Sequence, residues 1–308
     1  MFKLTIFLMK IKAILKLIRP YQWSKNVLLF GGLIFSGSLT NIHTIIISFL
    51  AFIIFCLTSS SVYILNDILD LERDKLHPLK KDRPLAAGII KTPFAILLLV
   101  LFLGISLTGA FLLDFSFSLI LISYFIINLF YSLGLKKIVI LDVMIVSAGF
   151  LLRAIAGCEV INVRPSPWLF LCSLVLALFI SFGKRRNEMY ILGEEASKHR
   201  LNLQEYSMYF LDMMMTICAT ATIVTYSLYT MAADTLIRFK TVNLIYTTPF
   251  VMFGVFRYFF LVQQKNSGGD PTRLLIKDSP SKINVVLWIL SVAFIIYGKR
   301  IFLNLGNE

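Results

Sequence analysis

Three aspartates stand at i, i+3 and i+7 in the segment Asn66-Asp67-Ile68-Leu69-Asp70-Leu71-Glu72-Arg73-Asp74. On an α-helix this spacing puts the carboxylates of Asp67, Asp70 and Asp74 on one face. Like charges so placed repel one another unless a cation neutralises them. Hard oxygen ligands suit Mg²⁺, with Mn²⁺ as the substitute. Mg²⁺ takes one or two protein carboxylates and fills its other positions with substrate phosphate and water. The chemistry this suggests is departure of a diphosphate, with the metal absorbing the developing charge. Asp67, Asp70 and Asp74 are therefore the candidate metal ligands and catalytic carboxylates. A solvated acidic helix end is the plain alternative. Just downstream, Arg73, Lys80, Lys81 and Arg83 offer cations for phosphate oxygens.

The elements that position these groups follow from composition. Of 308 residues, 58% are hydrophobic and only 15% charged, and the mean hydropathy is +0.82. A soluble domain is about half apolar and a quarter charged, so the chain reads as an all-α polytopic membrane protein in a lipid bilayer. Nine apolar runs qualify as spans: Trp23–Leu39, Ile42–Leu65, Phe94–Leu113, Phe115–Leu135, Ile138–Gly157, Trp168–Gly183, Tyr209–Ala233, Leu244–Val262 and Ile283–Tyr297. The chain reads as one integral membrane domain over 1–308, with 1–18 a basic amphipathic segment at the membrane surface rather than a signal peptide.

The formal charge of +13 resides mainly between spans, so it marks topology and not a nucleic-acid partner. With the N-terminus inside, 23 Lys and Arg fall on inner segments, five on outer ones, and Arg153 and Arg257 lie within spans. The expected arrangement is therefore N-in and C-out in the cell (inner) membrane, with the long loops after the second and sixth spans cytoplasmic. The four cysteines form no CxxC or Cys/His cluster, and the three histidines have no ligand spacing.

Most remaining polar candidates gather at inner span ends. Lys25 begins the first span, where holding a phosphate competes with simple snorkelling. Asn128 and Tyr131 share a face of the fourth span, with Lys136 just beyond; hydrogen bonding to a substrate competes with interfacial anchoring for Tyr131. Asp142 lies one turn into the fifth span. Arg153 is 11 residues deeper, about 16 Å along a helix, and a buried structural pair is as good a reading there as substrate contact. For Arg257 and Asp212, snorkelling and helix-end solvation are expected. This one-sided distribution argues against a transporter, which needs ionisable groups near the bilayer midplane.

Asn66-Asp67-x-x-Asp70-x-x-x-Asp74, followed by His77-Pro78-Leu79-Lys80-Lys81-Asp82-Arg83-Pro84-Leu85-Ala86-Ala87-Gly88, resembles the first signature of the UbiA superfamily of intramembrane transferases. Tyr131-Ser132-Leu133-Gly134-Leu135-Lys136 resembles that superfamily's YSxxLK element. The resemblance implies nine helices around a central cavity open to the cytoplasm and sideways to lipid. Most members carry a second aspartate-rich motif after the sixth span. This chain has Gly183-Lys184-Arg185-Arg186-Asn187-Glu188 instead. Four further segments are similar to a narrower group, the decaprenyl-phosphate phosphoribosyltransferases. They are Arg19-Pro20-Tyr21-Gln22-Trp23-Ser24-Lys25-Asn26, Leu141-Asp142 through Gly149-Phe150-Leu151-Leu152-Arg153-Ala154-Ile155-Ala156-Gly157, His199-Arg200 with Tyr206, and Asp270-Pro271-Thr272-Arg273-Leu274-Leu275 leading to Asp278.

That similarity implies phosphoribosyl pyrophosphate as donor, a polyprenyl phosphate as acceptor, and pyrophosphate as product. It makes Lys25, Asn66, Lys81, Arg83, Tyr131, Lys136, Asp142, Arg153, Lys184 and Arg185 the substrate-binding set. Glu188 joins the catalytic carboxylates as a second metal ligand or a ribose contact. The cations of Lys184-Arg185-Arg186 agree with a donor that carries an extra 5-phosphate, and an anionic acceptor needs no strong general base. The alternative is prenyl transfer from a prenyl diphosphate to an aromatic or lipid acceptor, which would normally use the missing second Asp cluster. The oligomeric state stays open, a homo-oligomer included.

The orientation is testable on single-Cys variants near residues 80 and 195, built after the native cysteines are replaced. Neither position should react with a membrane-impermeant thiol reagent applied to intact cells, and both should react after permeabilisation. Labelling of both from outside would reverse the topology.

Overall fold

The computed structural model describes residues 2–39, 41–76, 80–164, 166–192, 203, 205–265, 268–269, 271, 274 and 277–305. His77-Pro78-Leu79, His199-Arg200 and most of Asp270–Leu275 lie outside the described residues. Among these residues every regular element is helical. In chain order they are α1 (Phe2–Ile18), a 3₁₀ stretch (Pro20–Leu29), α2 (Phe30–Phe35), α3 (Ile42–Leu69), α4 (Leu71–Leu76), α5 (Thr92–Leu113) and α6 (Phe115–Leu133). Then follow a 3₁₀ turn (Leu135–Lys137), α7 (Leu141–Glu159), α8 (Pro167–Leu192), α9 (Met208–Met231), α10 (Ala233–Phe239), a second 3₁₀ turn (Asn243–Thr247), α11 (Thr248–Gln264) and α12 (Ser279–Leu305).

Local chemistry sets the boundaries. Asn41 caps α3, its Oδ1 accepting from the His43 and Thr44 amides at 3.0 and 3.3 Å. Asp114 separates α5 from α6 and caps the latter through the Phe117 amide at 2.7 Å. Ser207 caps α9 through the Phe210 amide. A proline opens the first turn of both α5 and α11, where its missing N–H costs nothing.

Among the described residues, seven helices are long and apolar enough to cross a membrane. They correspond to the expected second to fifth and seventh to ninth spans; the expected sixth lies within α8. The expected first span is not one continuous α-helix. Arg19 takes a left-handed conformation, with φ of 54°, ending α1. The next ten residues then wind as a 3₁₀ helix before the short α2 begins. Such long 3₁₀ runs are uncommon and need outside support.

That support is close packing. A Cβ on Gly157 would sit 1.8 Å from the Leu29 carbonyl oxygen, and one on Gly32 would sit 2.4 Å from the Gly157 oxygen. The broken first span is thus pressed backbone to backbone on α7. Small residues serve the same purpose on α3, where Thr58, Ser59, Ser60 and Ser61 are buried. Their hydroxyls return to backbone carbonyls, Ser60 crossing to Ile18 at 2.9 Å. Among the described residues the core forms four apolar clusters, of which two are the largest. Phe55, Phe117, Leu121 and Tyr124 knit α3, α6 and α7, and Phe179, Phe182, Met215 and Tyr258 knit α8, α9 and α11. Leu97, Val100, Ile105 and Leu112 of α5 remain outside as lipid-facing surface.

Gly157→Ala therefore has no free space to enter. Overpacking typically costs about 1–3 kcal/mol, so the variant should melt at a lower temperature in detergent than wild type. Gly104→Ala, which meets no neighbour within 4 Å, should melt like wild type.

Candidate active site

The acidic motif lies where α3 hands over to α4, and the expected one-face cluster divides there. Asp70 leaves α-helical geometry as the C-cap of α3, with φ −96° and ψ 8°. Asp67 and Asp74, both buried, share one cation: Arg83 Nη1 donates to Asp67 Oδ1 at 2.9 Å and to Asp74 Oδ2 at 2.5 Å. Arg19 Nη2 also donates to Asp67 Oδ1. Asp70 instead takes Lys136, whose Nζ donates to its two oxygens at 2.6 and 2.8 Å. Beside it, Ser132 Oγ donates to Asn66 Oδ1 at 3.2 Å, joining α6 to α3. A cleft of about 390 Å³ opens next to the Asp70–Lys136 pair, with Arg73 and Lys137 at its polar edge and Leu69 and Leu133 at its apolar edge.

The loop after α4 supplies Lys80 and not Lys81. Lys81 is exposed, whereas Lys80 is partly buried. Burial, and then the Arg83 guanidinium, pull the Lys80 ammonium below its ordinary pKa; the carboxylates of Asp74, Glu188 and Asp70 act in the opposite sense. Lys80 thus lies within electrostatic reach of both the first acidic motif and the carboxylate on α8.

The α8 side is built on Asp142. Ile140 has φ of 67°, an unfavourable conformation for a β-branched residue. Its amide donates to Tyr206 Oη at 2.7 Å, and Tyr206 Oη donates to Asp142 Oδ1 at 2.9 Å. Arg185 Nε donates to Asp142 Oδ2 at 2.7 Å, and its Nη1 to Glu188 Oε2 at 2.7 Å. α7 packs on both α6, which carries Tyr131, and α8, so the three helices meet here.

Of the three adjacent cations on α8, Arg185 is committed to Asp142 and Glu188, and Arg186 to Asp212 at 2.6 Å. Lys184 alone of the three is exposed, its Nζ 4.0 Å from Glu188. Asp212 and Arg257, expected to be solvated helix ends, are paired. Asp212 also accepts from Gln263, and Arg257 grips Asp278 through two nitrogens at 2.8 and 3.1 Å. Arg257 and the Ser281 groups hold the Asp278 carboxyl well below the usual carboxylate range. Arg153 is remote from all of these carboxylates in its bonding: its nitrogens end on Asn26, the Gly149 carbonyl and Tyr124.

Spacing pointed to Asp67, Asp70 and Asp74, which the structure splits into an Asp67–Arg83–Asp74 group and an Asp70–Lys136 pair, while Asn66, Arg83 and Lys136 came with the family resemblance. The sequence marks Lys80 only as one of four cations after the acidic motif, and Arg19 and Tyr206 only as parts of the narrower resemblance; none of the three is in the expected substrate-binding set. The signals available were a charge directly before a proline at a span's inner end, and a lysine six residues past Asp74. No three His, Cys, Asp or Glu side chains converge as a ready-made metal cage among the described residues. Mg²⁺ does not require one, since it is held by one or two carboxylates and substrate phosphate. Asp67 and Asp74 already share a single cationic nitrogen, so the donor set fits a divalent ion.

The UbiA prenyltransferase family model matches residues 27–277. The decaprenyl-phosphate phosphoribosyltransferase of Mycolicibacterium smegmatis is 31% identical over 298 residues, covering 93% of this chain and 93% of that protein. The protein of the same name in Corynebacterium glutamicum is 30% identical, covering 94% and 88%. A solved UbiA homologue from Archaeoglobus fulgidus bound to GPP and Mg²⁺ superposes with a TM-score of 0.70 at 19% identity, covering 92% of this chain and 99% of its own. The helical architecture, the paired acidic and basic groups at one end of the bundle and these likenesses lead to one conclusion: the chain belongs to the UbiA prenyltransferase family.

Proposed function

We propose that this protein transfers the 5-phosphoribosyl group of phosphoribosyl pyrophosphate to a polyprenyl phosphate, releasing pyrophosphate. The observation that carries this reading is an acidic motif paired with cations from three separate segments, Arg19, Arg83 and Lys136, with the exposed Lys184 beside Glu188 on α8, in a chain about 30% identical to phosphoribosyltransferases over nine-tenths of its length. A phosphate oxygen of the acceptor attacks C1 of the ribose, and the C1–diphosphate bond breaks with its electron pair leaving on the pyrophosphate. The attacking oxygen is already anionic, so positioning and charge stabilisation carry the rate.

Asp67 and Asp74 would hold Mg²⁺ (or Mn²⁺), and the ion would supply charge neutralisation for the departing diphosphate. Arg83, Arg19 and Lys80 border these carboxylates and orient the diphosphate oxygens. Lys25 and the exposed Lys184 extend the positive surface toward the 5-phosphate. Lys136, fixed by Asp70, faces the adjoining cleft and holds the acceptor phosphate, with Ser132 and Lys137 on the same lining, Asn66 bonded behind Ser132 and Tyr131 next to it in sequence. The site faces the cytoplasm in the cell's inner membrane, where a water-soluble donor is reached from one side and the lipid acceptor from the bilayer.

Detergent-purified protein should release pyrophosphate from phosphoribosyl pyrophosphate only with a polyprenyl phosphate and Mg²⁺ present. Asp67→Asn and Asp70→Asn should each lower kcat at least about 100-fold, as expected when charge stabilisation of a transition state is lost, while remaining folded. Turnover of prenyl diphosphates and none of phosphoribosyl pyrophosphate would make prenyl transfer the better reading.

The basic triplet on α8 generates a separate expectation. Lys184→Ala should weaken donor binding about tenfold, the worth of one charge-assisted phosphate contact, and spare the polyprenyl phosphate KM. Arg186→Ala should chiefly lower the melting temperature, because it strands Asp212 beside Gln263. Equal donor affinity in Lys184→Ala and wild type would remove Lys184 from the donor site.

A further inference from the structure

Arg153 is the deepest charge on α7 and is only 4% exposed. Nε donates to Asn26 Oδ1 at 2.7 Å, Nη1 to the Gly149 carbonyl at 2.6 Å and Nη2 to the Tyr124 hydroxyl at 2.8 Å. Its guanidinium carbon also lies 4.8 Å from the Tyr124 ring centroid, 5.3 Å from that of Phe55 and 5.5 Å from that of Phe150. Every one of these partners is neutral. A cation buried on neutral dipoles and ring faces is costly, so the position calls for a role that an uncharged side chain would not fill.

Its neighbours on the helix point to that role. Gly149, Arg153 and Gly157 stand at i, i+4 and i+8 and share one face. A Cβ on Gly149 would come within 3.4 Å of Arg153 Nη1, and one on Gly157 would collide with the Leu29 carbonyl. The face is therefore a saddle with a cationic centre, and Pro20–Leu29 lies in it. Asn26, fully buried, is the residue seated at that centre. Its Nδ2 reaches Cys56 Sγ and Ser59 Oγ, both at 3.2 Å, so one amide ties α3, α7 and the 3₁₀ stretch together. The same stretch carries Lys25 beside Asn26, and Arg19, bonded to Asp67, at its start. Trp23 Nε1 to Ser60 Oγ at 3.0 Å is a second tie between the two.

We infer that Arg153 is a positioning residue that contacts no substrate: through Asn26 it sets the register of Pro20–Leu29 on α7, and so the reach of Lys25 and Arg19 toward the donor's phosphates. This inference rests on the proposed function above. A 3₁₀ run of this length has weak internal bonding, and a fork with fixed geometry holds it where a single-point ammonium would not.

The test is a double-mutant cycle in donor affinity. Wild type, Arg153→Met, Lys25→Ala and the double variant are purified in detergent. Phosphoribosyl pyrophosphate binding is measured calorimetrically with Mg²⁺ present, alongside melting temperature, kcat and both KM values. Each single variant should raise the donor Kd about tenfold, the value of one phosphate contact, and leave the polyprenyl phosphate KM unchanged. The double variant should be no weaker than the weaker single variant, because both changes remove the same contact. Should Arg153→Met fail to fold, Asn26→Ala, which cuts the same bond from the other end, replaces it in the cycle.

Additive losses, or an unchanged donor Kd in a folded Arg153→Met protein, would overturn the inference. If wild type binds a prenyl diphosphate and not phosphoribosyl pyrophosphate, the proposed function falls, and the same cycle read with that diphosphate still decides the role of Arg153.

Discussion

A charge held at the edge of a bilayer must find an opposite charge or a full set of dipoles, because water is scarce there and an unpaired ion is expensive. That requirement organises the functional end of this molecule. Asp67 and Asp74 are shared by Arg83, Asp70 is held by Lys136, and Asp142 by Arg185, which also reaches Glu188. The longer-range pairs join separate segments: Asp70 at the end of α3 to Lys136 just past α6, Asp142 on α7 to Arg185 on α8, and Asp67 on α3 to Arg83 in the loop after α4, while Arg185–Glu188 stays within α8. The ion pairs that settle the cost of burial are therefore also the ties that bring the helix ends together.

Such a network suits a phosphate-handling site. Carboxylates and cations interleave over a short distance, so a metal–diphosphate unit with both positive and negative faces finds partners of both signs. Buried ion pairs contribute little net stability over apolar packing, and the apolar clusters supply the driving force for assembly. The polar network instead defines where charge is admitted. Lys80 illustrates this: it lies within electrostatic reach of Asp74, Glu188 and Asp70, at a site where its ammonium is less favoured than in water.

The first segment is the least regular part of the bundle and the closest to the site. Its 3₁₀ winding, the left-handed Arg19 and the glycine contacts with α7 all follow from bringing a backbone unusually near a neighbouring helix. Regular α-helical winding from Trp23 onward would change which residues face α7. The fold therefore accepts weaker internal hydrogen bonding in exchange for placing Arg19 beside Asp67.

Much of this was legible in the chain alone. Apolar runs about 20 residues long require helices in a bilayer, since backbone groups there must bond internally, and the excess of Lys and Arg on alternate segments gives a consistent orientation. The acidic spacing drew attention to the end of α3, and the resemblance to a YSxxLK element pointed to Lys136. Three matters were decided only by the tertiary structure. Asp70 parts from Asp67 and Asp74 because α3 ends at Leu69, a boundary that the i, i+3, i+7 pattern does not encode. Lys80, not Lys81, turns inward because the loop path is set by Arg83 reaching two carboxylates at once. Two partners of Arg153 come from residues 26 and 124, and no local rule links residues so far apart; the third, the Gly149 carbonyl, lies one turn back on the same helix. Periodicity and composition record what each helix must bury; which groups meet across helices depends on how those buried faces pack, and packing is a property of the assembled bundle.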